Sequence, residues 1–206
     1  GRRRAWAAHT ERLIVLSESQ VARAERLLGV PHEQCVEVNN GFAPRRFRPR
    51  AVDRGAHWAR YVPELAGYEG PVLLYVGRFT AVKRVPLLIE AYTQARERFA
   101  ERAPLVLVGG FPDEFEGEHP DEAIARTGAR DVHLAGWHEH DVLPSFLNAA
   151  DLVVLPSVAE QFGQVLVEGM ACARPVIAVD SHGPAEIVDA GDTGWLVPPD
   201  DGRALA

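Results

Sequence analysis

The chain has 206 residues, of which 47% are hydrophobic and 25% are charged, and its net charge is −7. This length and composition are typical of one or two globular domains and exclude a disordered or fibrous protein. The negative charge disfavours binding to nucleic acid, which needs a basic surface. Cys35 and Cys172 are too few for a disulfide framework and lack zinc-site spacing, so we expect reduced thiols.

The sequence contains no recognisable membrane-spanning or signal segment. No apolar run approaches the roughly 18 residues of a membrane-spanning helix, and no signal peptide follows the first arginines, so we expect a cytoplasmic protein.

Residues 1–60 hold 12 arginines and 6 acids. A basic arm for nucleic acid or anionic lipid is one interpretation, but a solvated surface is favoured because the arginines are scattered. The chain begins with Gly1 and its single methionine is Met170, so we expect part of a longer protein.

The first 60 residues predict a small unit followed by a linker. Leu13–Leu16 and Val36–Val38 have strand composition, and Glu18–Leu28 has helix composition with Ser17 at its N-cap. An Asn-Asn-Gly turn and an Arg- and Pro-rich stretch then predict a linker over residues 39–60. We therefore expect residues 1–38 to be the last strand and helix of an otherwise absent N-terminal domain, and residues 61–206 to be a C-terminal domain.

From residue 71 the sequence alternates short Val-, Leu- and Ile-rich runs with helical segments. Nearly continuous apolar runs are typical of strands that are buried on both faces of a parallel sheet. The predicted strands are Val72–Val76, Leu105–Val108, Val132–Leu134, Leu152–Leu155, Pro175–Val179 and Trp195–Val197. The predicted helices cover residues 84–101, 120–128, 140–149, 163–172 and 183–190. This alternation predicts an α/β fold with a doubly wound, Rossmann-like parallel sheet.

A first candidate site follows the first predicted strand of this sheet. Ligands of open α/β sheets bind beyond the carboxyl ends of the strands, where Gly77 and Arg78 lie, with Lys83 five residues further at the start of the next helix. A guanidinium and an ammonium suit a diphosphate, and Gly77 permits close approach of the backbone. The alternative is that Arg78 and Lys83 are solvated side chains that bind no ligand. Lys83 is the single lysine among 22 basic residues, which favours a function.

A second candidate site contains two glutamates eight residues apart. Glu160 lies in the predicted loop after Leu152–Leu155, and Glu168 lies on the helix that opens near Gly163. Free N–H groups at that helix start favour an anion, and Glu168 is suited to a ribose diol and Glu160 to sugar hydroxyls. The alternatives are a helix cap for Glu160 and a solvated position for Glu168, or an acid/base pair of the glycosidase type.

A third candidate segment is Gly136-Trp137-His138-Glu139-His140-Asp141. Its side chains invite a metal site, but HExxH spacing and nearby cysteines are missing, so we favour a loop and helix N-cap and expect no metal. Gly136 and Trp137 are candidates for flanking a nucleobase. The sequence also lacks GxGxxG, GxxxxGK[ST] and GxSxG, which disfavours dinucleotide oxidoreductases, P-loop proteins and serine hydrolases.

Four segments, taken together and in order, resemble motifs of the family 4 retaining glycosyltransferases, which have the GT-B fold. They are NNGF…FRP at residues 39–49, VGR…K…LIEA at 76–91, the E-x7-E motif at 160–168, and GPAEIV…TGWLVP at 183–198. Each motif alone is weak evidence for the family, but the order and spacing of all four are specific to it. The chain is similar to the C-terminal, donor-binding half of these enzymes.

The resemblance implies a role for each matching position. Arg78 and Lys83 would hold the diphosphate of a nucleotide-sugar donor and stabilise charge on the departing phosphate, and Glu160, the third candidate catalytic residue, would bind the donor sugar. Glu168 would bind the ribose. No metal or other cofactor is implied. The complete candidate binding set is Gly77, Arg78, Lys83, Gly136, Trp137, Glu160, Phe162, Gly163, Gln164, Val165 and Glu168.

The resemblance also shows departures and leaves alternatives. Arg84 stands where the family often has glycine, and Ala173-Arg174 replaces another common glycine, which we interpret as subfamily variation. In the family the acceptor pocket lies in the N-terminal domain, so we expect weak nucleotide-sugar binding and negligible transfer by these residues alone. The acceptor, and peripheral contact with the inner membrane face through that domain, stay open. The alternatives are a non-catalytic nucleotide-binding or interaction module and a nucleotide-sugar epimerase of the same fold.

Overall fold

The computed structural model describes residues 5, 7, 9–111 and 114–206, and the first two strands in this part of the chain belong to a β-α-β unit. Strands β1 (Leu13–Val15) and β2 (Cys35–Glu37) pair in parallel, and helix α1 (Glu18–Leu28) connects them. The bounds of these three elements agree with the sequence prediction to within one residue. Helix α1 ends at Gly29, whose φ of +73° is the left-handed conformation that glycine adopts without strain.

Six further strands form one parallel sheet in the order β5-β4-β3-β6-β7-β8. They are β3 (Leu73–Gly77), β4 (Leu105–Gly109), β5 (Val132–Gly136), β6 (Leu152–Leu155), β7 (Val176–Val179) and β8 (Gly194–Val197). The chain builds outward from β3 through β5 and then returns to place β6 on the other side of β3. This order confirms the doubly wound α/β fold, and it puts the topological switch point between β3 and β6.

Helices cover this sheet on its two faces, which is why the strands are apolar on both sides. They are α2 (Arg54–Tyr61), α3 (Val85–Ala95), α4 (Pro120–Thr127), α5 (Leu143–Ala149), α6 (Gln164–Ala171), α7 (His182–Ile187) and α8 (Gly202–Leu205). The helix predicted to reach residue 101 was too long: the chain tightens into a 3₁₀ turn at Arg96–Arg98, and Phe99 then turns back to pack on Tyr92. Among the described residues, no helix is both long and apolar enough to cross a lipid bilayer.

The segment between the β-α-β unit and the sheet contains a helix that the sequence analysis did not predict. Helix α2 buries Trp58 completely, and Phe47 is 1% exposed in the same core. Arg54 at the start of α2 donates to both carboxylate oxygens of Asp151, at 3.0 and 2.7 Å. Residues 47–61 therefore pack against the six-stranded sheet and its helices. The division into residues 1–38, 39–60 and 61–206 stays a prediction.

Candidate functional site

The switch point lies between the carboxyl ends of β3 and β6, where open α/β sheets have their ligand-binding crevice. The structure brings Lys83 and Glu160 together there. Lys83 lies after β3, in a 3₁₀ turn (Ala81–Lys83) that precedes α3, rather than at the start of the helix as predicted. Glu160 lies in the loop after β6. The Lys83 ammonium forms an ion pair with the Glu160 carboxylate, and the two side chains are 17% and 18% exposed. The pair therefore joins the two loops on either side of the crevice.

Backbone contacts hold these two loops against each other. The Val82 carbonyl accepts hydrogen bonds from Val158 N–H at 3.0 Å and from the Ser157 hydroxyl at 3.2 Å. Arg84, the residue after Lys83, has a left-handed φ of +53°, and its guanidinium donates to both oxygens of Asp200 at 2.6 and 3.2 Å. This left-handed conformation explains why the family often has glycine at the position of Arg84. In this chain the ion pair with Asp200 holds Arg84 in that conformation.

Arg78 lies at the same edge of the sheet but outside the Lys83–Glu160 pair. Its guanidinium is exposed and contacts Glu114 at 3.2 Å. Its carbonyl accepts a hydrogen bond from the buried Tyr75 hydroxyl at 2.7 Å. Burial, and then the nearby Glu160 charge, raise the pKa of Tyr75, so its phenol stays protonated and donates. The backbone of Arg78 is thus fixed while its side chain is free to reorient.

A cleft of about 240 Å³ lies at the ends of β3, β4 and β5. The backbone of Gly77 and Gly109 forms the floor of this cleft. The two backbones are so close that a Cβ on Gly109, which has a φ of +137°, would lie 1.9 Å from the Gly77 carbonyl oxygen. Trp137 and Phe111 form its rim, with their rings edge to face at 5.2 Å and both about half exposed. Gly136 ends β5 with a φ of +78° and turns the chain into Trp137. The cleft combines a backbone floor with exposed aromatic rings, which suits a flat ring as ligand.

The segment after Glu160 leads into helix α6. Phe162 is 6% exposed, and Gly163 takes the left-handed N-cap position with a φ of +99°. Gly183 of α7 lies directly against this segment, because a Cβ there would be 2.5 Å from Phe162 Cα. Val165 on α6 is half-buried and packs against the core. The glycines therefore permit a tight contact between the Phe162 backbone and α7.

Glu168 on helix α6 is almost completely buried, which rules out the solvated position that was the alternative in the sequence analysis. It is 3% exposed, and Oε1 lies 2.8 Å from His140 Nε2. Gln164 Nε2, one turn earlier, lies 3.5 Å from the same oxygen and donates to the Gly41 carbonyl at 3.1 Å. The His140 ring packs on Phe47, with centroids 5.1 Å apart. A buried carboxylate held by a histidine in this way is oriented for a ligand that donates hydrogen bonds.

Residues 70–206 match the protein family described as "Glycosyl transferases group 1". The chain belongs to this family. Its relatives include an alpha-D-kanosaminyltransferase of Streptomyces kanamyceticus, 37% identical over 132 residues, which are 63% of this chain and 33% of that protein. A D-inositol 3-phosphate glycosyltransferase of Nocardia farcinica is 32% identical over 196 residues, or 88% of this chain and 44% of the relative. The chain thus spans less than half the length of these curated relatives.

Solved structures have the same fold as this chain. HepE from Anabaena, crystallised in complex with UDP-glucose, is 26% identical and superposes with a TM-score of 0.77. The match covers 95% of this chain and 52% of HepE. These findings confirm the resemblance to GT-B glycosyltransferases and the Rossmann-like fold.

In this group 1 glycosyltransferase chain the predicted site residues fall into three neighbouring groups. The switch-point group contains Lys83, Glu160, Phe162 and Gly163, the cleft group contains Gly77, Arg78, Gly136 and Trp137, and the α6 group contains Gln164, Val165 and Glu168. The sequence analysis missed His140 as the partner of Glu168 and Phe111 at the cleft rim. Each is recognisable only from its contact with a distant residue. The ligand roles of all these residues stay predictions.

Proposed function

We propose that this chain is the donor-binding domain of a retaining glycosyltransferase that uses a nucleoside diphosphate sugar, with a UDP-sugar as the first candidate. The observation that carries the proposal is the Lys83–Glu160 pair at the topological switch point, where a cation and a hydrogen-bond acceptor meet beside the ends of β3 and β6. HepE, with the same fold, was crystallised with UDP-glucose, which supports the choice of base.

In this proposal Lys83 and Arg78 hold the donor diphosphate. When the bond between sugar C1 and the phosphate oxygen breaks, its electron pair stays on the diphosphate, whose negative charge grows. The acceptor hydroxyl forms the new bond to C1 on the same face and gives up its proton to the departing phosphate oxygen. A preorganised ammonium stabilises the growing charge most where water is excluded, and Lys83 is 17% exposed. Arg78 reaches the same phosphates by leaving Glu114, an exposed partner that binds it weakly.

The remaining parts of the donor then have defined places. The nucleobase enters the cleft between the Gly109 backbone and the Trp137–Phe111 rim. The ribose hydroxyls donate to Glu168. This assignment is supported by the segment that follows β5, in which His138 lines the cleft and His140, two residues later, contacts Glu168.

The donor sugar is placed by Glu160 and the backbone of Phe162 and Gly163. Because Glu160 pairs with Lys83, a sugar that it binds lies beside the phosphate that Lys83 holds. The donor therefore runs along the crevice from the cleft to the switch point. The residues present supply a cation where the charge develops, so we propose transfer without a metal.

The acceptor is proposed to bind outside the six-stranded sheet and its helices. The β-α-β unit exposes Ile14, Leu27 and Val38 at 67%, 48% and 51%. Apolar surface of this kind supports the interpretation that residues 1–38 belong to a further domain facing the crevice. We therefore expect binding of the donor by this chain, with transfer to an acceptor negligible.

Calorimetric titration with UDP, GDP and ADP tests the proposal and identifies the base. We expect UDP to bind and the other two to bind more weakly. Circular dichroism establishes that the chain is folded under the same conditions. A folded chain that binds none of the three nucleotides would overturn the proposal and favour a non-catalytic interaction module.

A further inference from the structure

The segment Glu160–Gly163, here called the donor loop, is held from outside by the β-α-β unit. Gln20 Nε2, on helix α1, donates to the Gln161 carbonyl at 3.1 Å. The Ser17 hydroxyl lies 3.4 Å from the same oxygen. These partners are separated by more than 140 positions in sequence. The donor loop is therefore fixed by an element that is remote in sequence from the rest of the crevice.

The Gln20 amide is engaged at both ends. Its Oε1 accepts from Leu16 N–H at 3.2 Å, at the turn between β1 and α1, while its Nε2 donates to Gln161. Ser17 in the same turn is 2% exposed. An amide with both ends bonded cannot turn over without losing two hydrogen bonds, so Gln20 ties the position of the turn to that of the donor loop.

Glu186 fastens the start of α1 to helix α7. Its two carboxylate oxygens accept from the backbone N–H groups of Glu18 and Ser19, each at 2.9 Å. Ser17 takes the N-cap position of α1, but its side chain makes no capping hydrogen bond. The cap is thus supplied by a distant carboxylate, which also suits the positive end of the helix dipole. A charge-assisted pair of hydrogen bonds is a strong fastening for an exposed contact.

Helix α7 packs against the other side of the donor loop. Gly183, three residues before Glu186, packs on the backbone of Phe162 and on the Gln161 carbonyl. The donor loop consequently lies between the first turns of α1 and α7, which Glu186 joins. Its first residue, Glu160, reaches back to Lys83. Any displacement of α1 therefore moves the residues proposed to bind the sugar.

We infer that Gln20 and Glu186 are positioning residues for the donor sugar. They fasten the β-α-β unit to the donor loop, so that the placement of Glu160, Phe162 and Gly163 depends on the position of that unit. The inference rests on the proposed function, which assigns the sugar to this loop. The base, ribose and diphosphate are assigned to β3, β4, β5 and α6, so their binding depends less on the fastening.

Two isosteric variants test this inference. Gln20→Glu replaces the donor to Gln161 by a carboxylate, and Glu186→Gln removes the charge and one acceptor from the cap of α1. Each is expected to weaken the affinity for UDP-glucose by about fivefold, the effect of one lost hydrogen bond, and to change the affinity for UDP by less than about twofold. Glu186→Asp, which keeps the carboxylate, is expected to restore part of the loss.

The matched control is Asp192→Asn. Asp192 is an exposed acid in the segment after α7, and its side chain makes no hydrogen bond or ion pair with any residue that the structure describes. Its substitution is expected to leave the affinities for UDP and UDP-glucose unchanged. Hydrogen exchange of residues 160–163 supplies a readout without ligand, and we expect faster exchange in both positioning variants than in the control.

The outcomes separate the inference from the proposed function. If the wild-type chain binds UDP and the positioning variants weaken UDP and UDP-glucose equally, or weaken neither, the inference is overturned and the proposed function stands. Unchanged hydrogen exchange of the donor loop in both variants would also overturn it. If the folded wild-type chain binds neither ligand, the proposed function fails and the inference fails with it.

Discussion

Lys83 and Glu160, which follow the two strands flanking the switch point, form an ion pair with each other. Both side chains are mostly buried, so the pair is screened less by salt than an exposed one. The cation assigned to the diphosphate is therefore already engaged by the carboxylate assigned to the sugar. A bound donor must share Lys83 with Glu160, and this competition makes the two residues separable by experiment.

Removing the Glu160 charge should affect nucleotide and nucleotide sugar in opposite directions. In Glu160→Gln, Lys83 loses its competing carboxylate, so we expect the affinity for UDP to rise by about threefold and that for UDP-glucose to fall by about fivefold. Calorimetric titration measures both. Glu114→Gln, which frees the exposed Arg78, is the matched control and is expected to change UDP affinity by less than about twofold. Weaker binding of UDP by Glu160→Gln would contradict this account.

His140 should matter through the carboxylate of Glu168. In His140→Ala the 97%-buried Glu168 loses its 2.8 Å partner, and we expect UDP to bind about five to ten times more weakly. His140→Gln supplies an amide donor in the same place and should keep the affinity within about twofold of wild type. Titration with UDP distinguishes the two variants. Equal losses in both would show that Glu168 does not need a donor at this position.

Much of the sheet is predictable from the sequence because both of its faces are buried. Runs such as Leu105–Val108 and Leu152–Leu155 are continuously apolar, and the structure moves their boundaries by at most one residue. Lys83 and Glu160 were predicted for a related reason, because parallel strands end at one edge and the residues that follow them meet.

The rest of the site depends on contacts that leave no local signal. Helix α2 lies in an Arg- and Pro-rich stretch that favours a linker, and it is held by the burial of Trp58 rather than by its own pattern. The partners Gln20–Gln161 and His140–Glu168 are far apart in sequence, and each residue alone is unremarkable. Propensity and periodicity describe single elements and contain no information about such pairs.

The close contact between β3 and β4 should make Gly109 irreplaceable. In Gly109→Ala the new Cβ would lie 1.9 Å from the Gly77 carbonyl oxygen, so the strand ends must separate, and we expect a loss of about 3 kcal/mol or more in the free energy of unfolding. Gly128→Ala is the control, since its φ of +64° is also left-handed but the space is open. There we expect a loss of about 1 kcal/mol. Urea unfolding measures both, and equal losses would contradict the contact.

Acid should destabilise the chain through His57. Burial, and then His138 and Arg60, lower the pKa of His57 from 6.5 to about 4 in the folded chain. Above pH 6.5 both states are neutral at this position. As pH falls from 6.5 to 4 the unfolded chain takes up the proton first, so the free energy of unfolding falls, by about 3 kcal/mol in total.

The variant His57→Phe tests the assignment. Phenylalanine keeps the ring packing on Trp58 and Phe146, whose centroids lie 4.8 Å from that of His57, and it has no proton to gain. Urea unfolding between pH 4 and pH 7 should give a shallower pH dependence than in wild type. His133, whose pKa burial also lowers, contributes with the same sign and should leave a residual slope. An identical slope in both proteins would contradict the prediction.

The central claim is that Lys83 holds the diphosphate of a nucleotide-sugar donor, and titration of wild type and Lys83→Met with UDP tests it most directly. Methionine keeps most of the side-chain length and removes the charge. We predict that wild type binds UDP and that the variant binds it about 10 to 100 times more weakly, the effect of a lost charge-assisted contact. A folded Lys83→Met chain that binds UDP as tightly as wild type would contradict the claim.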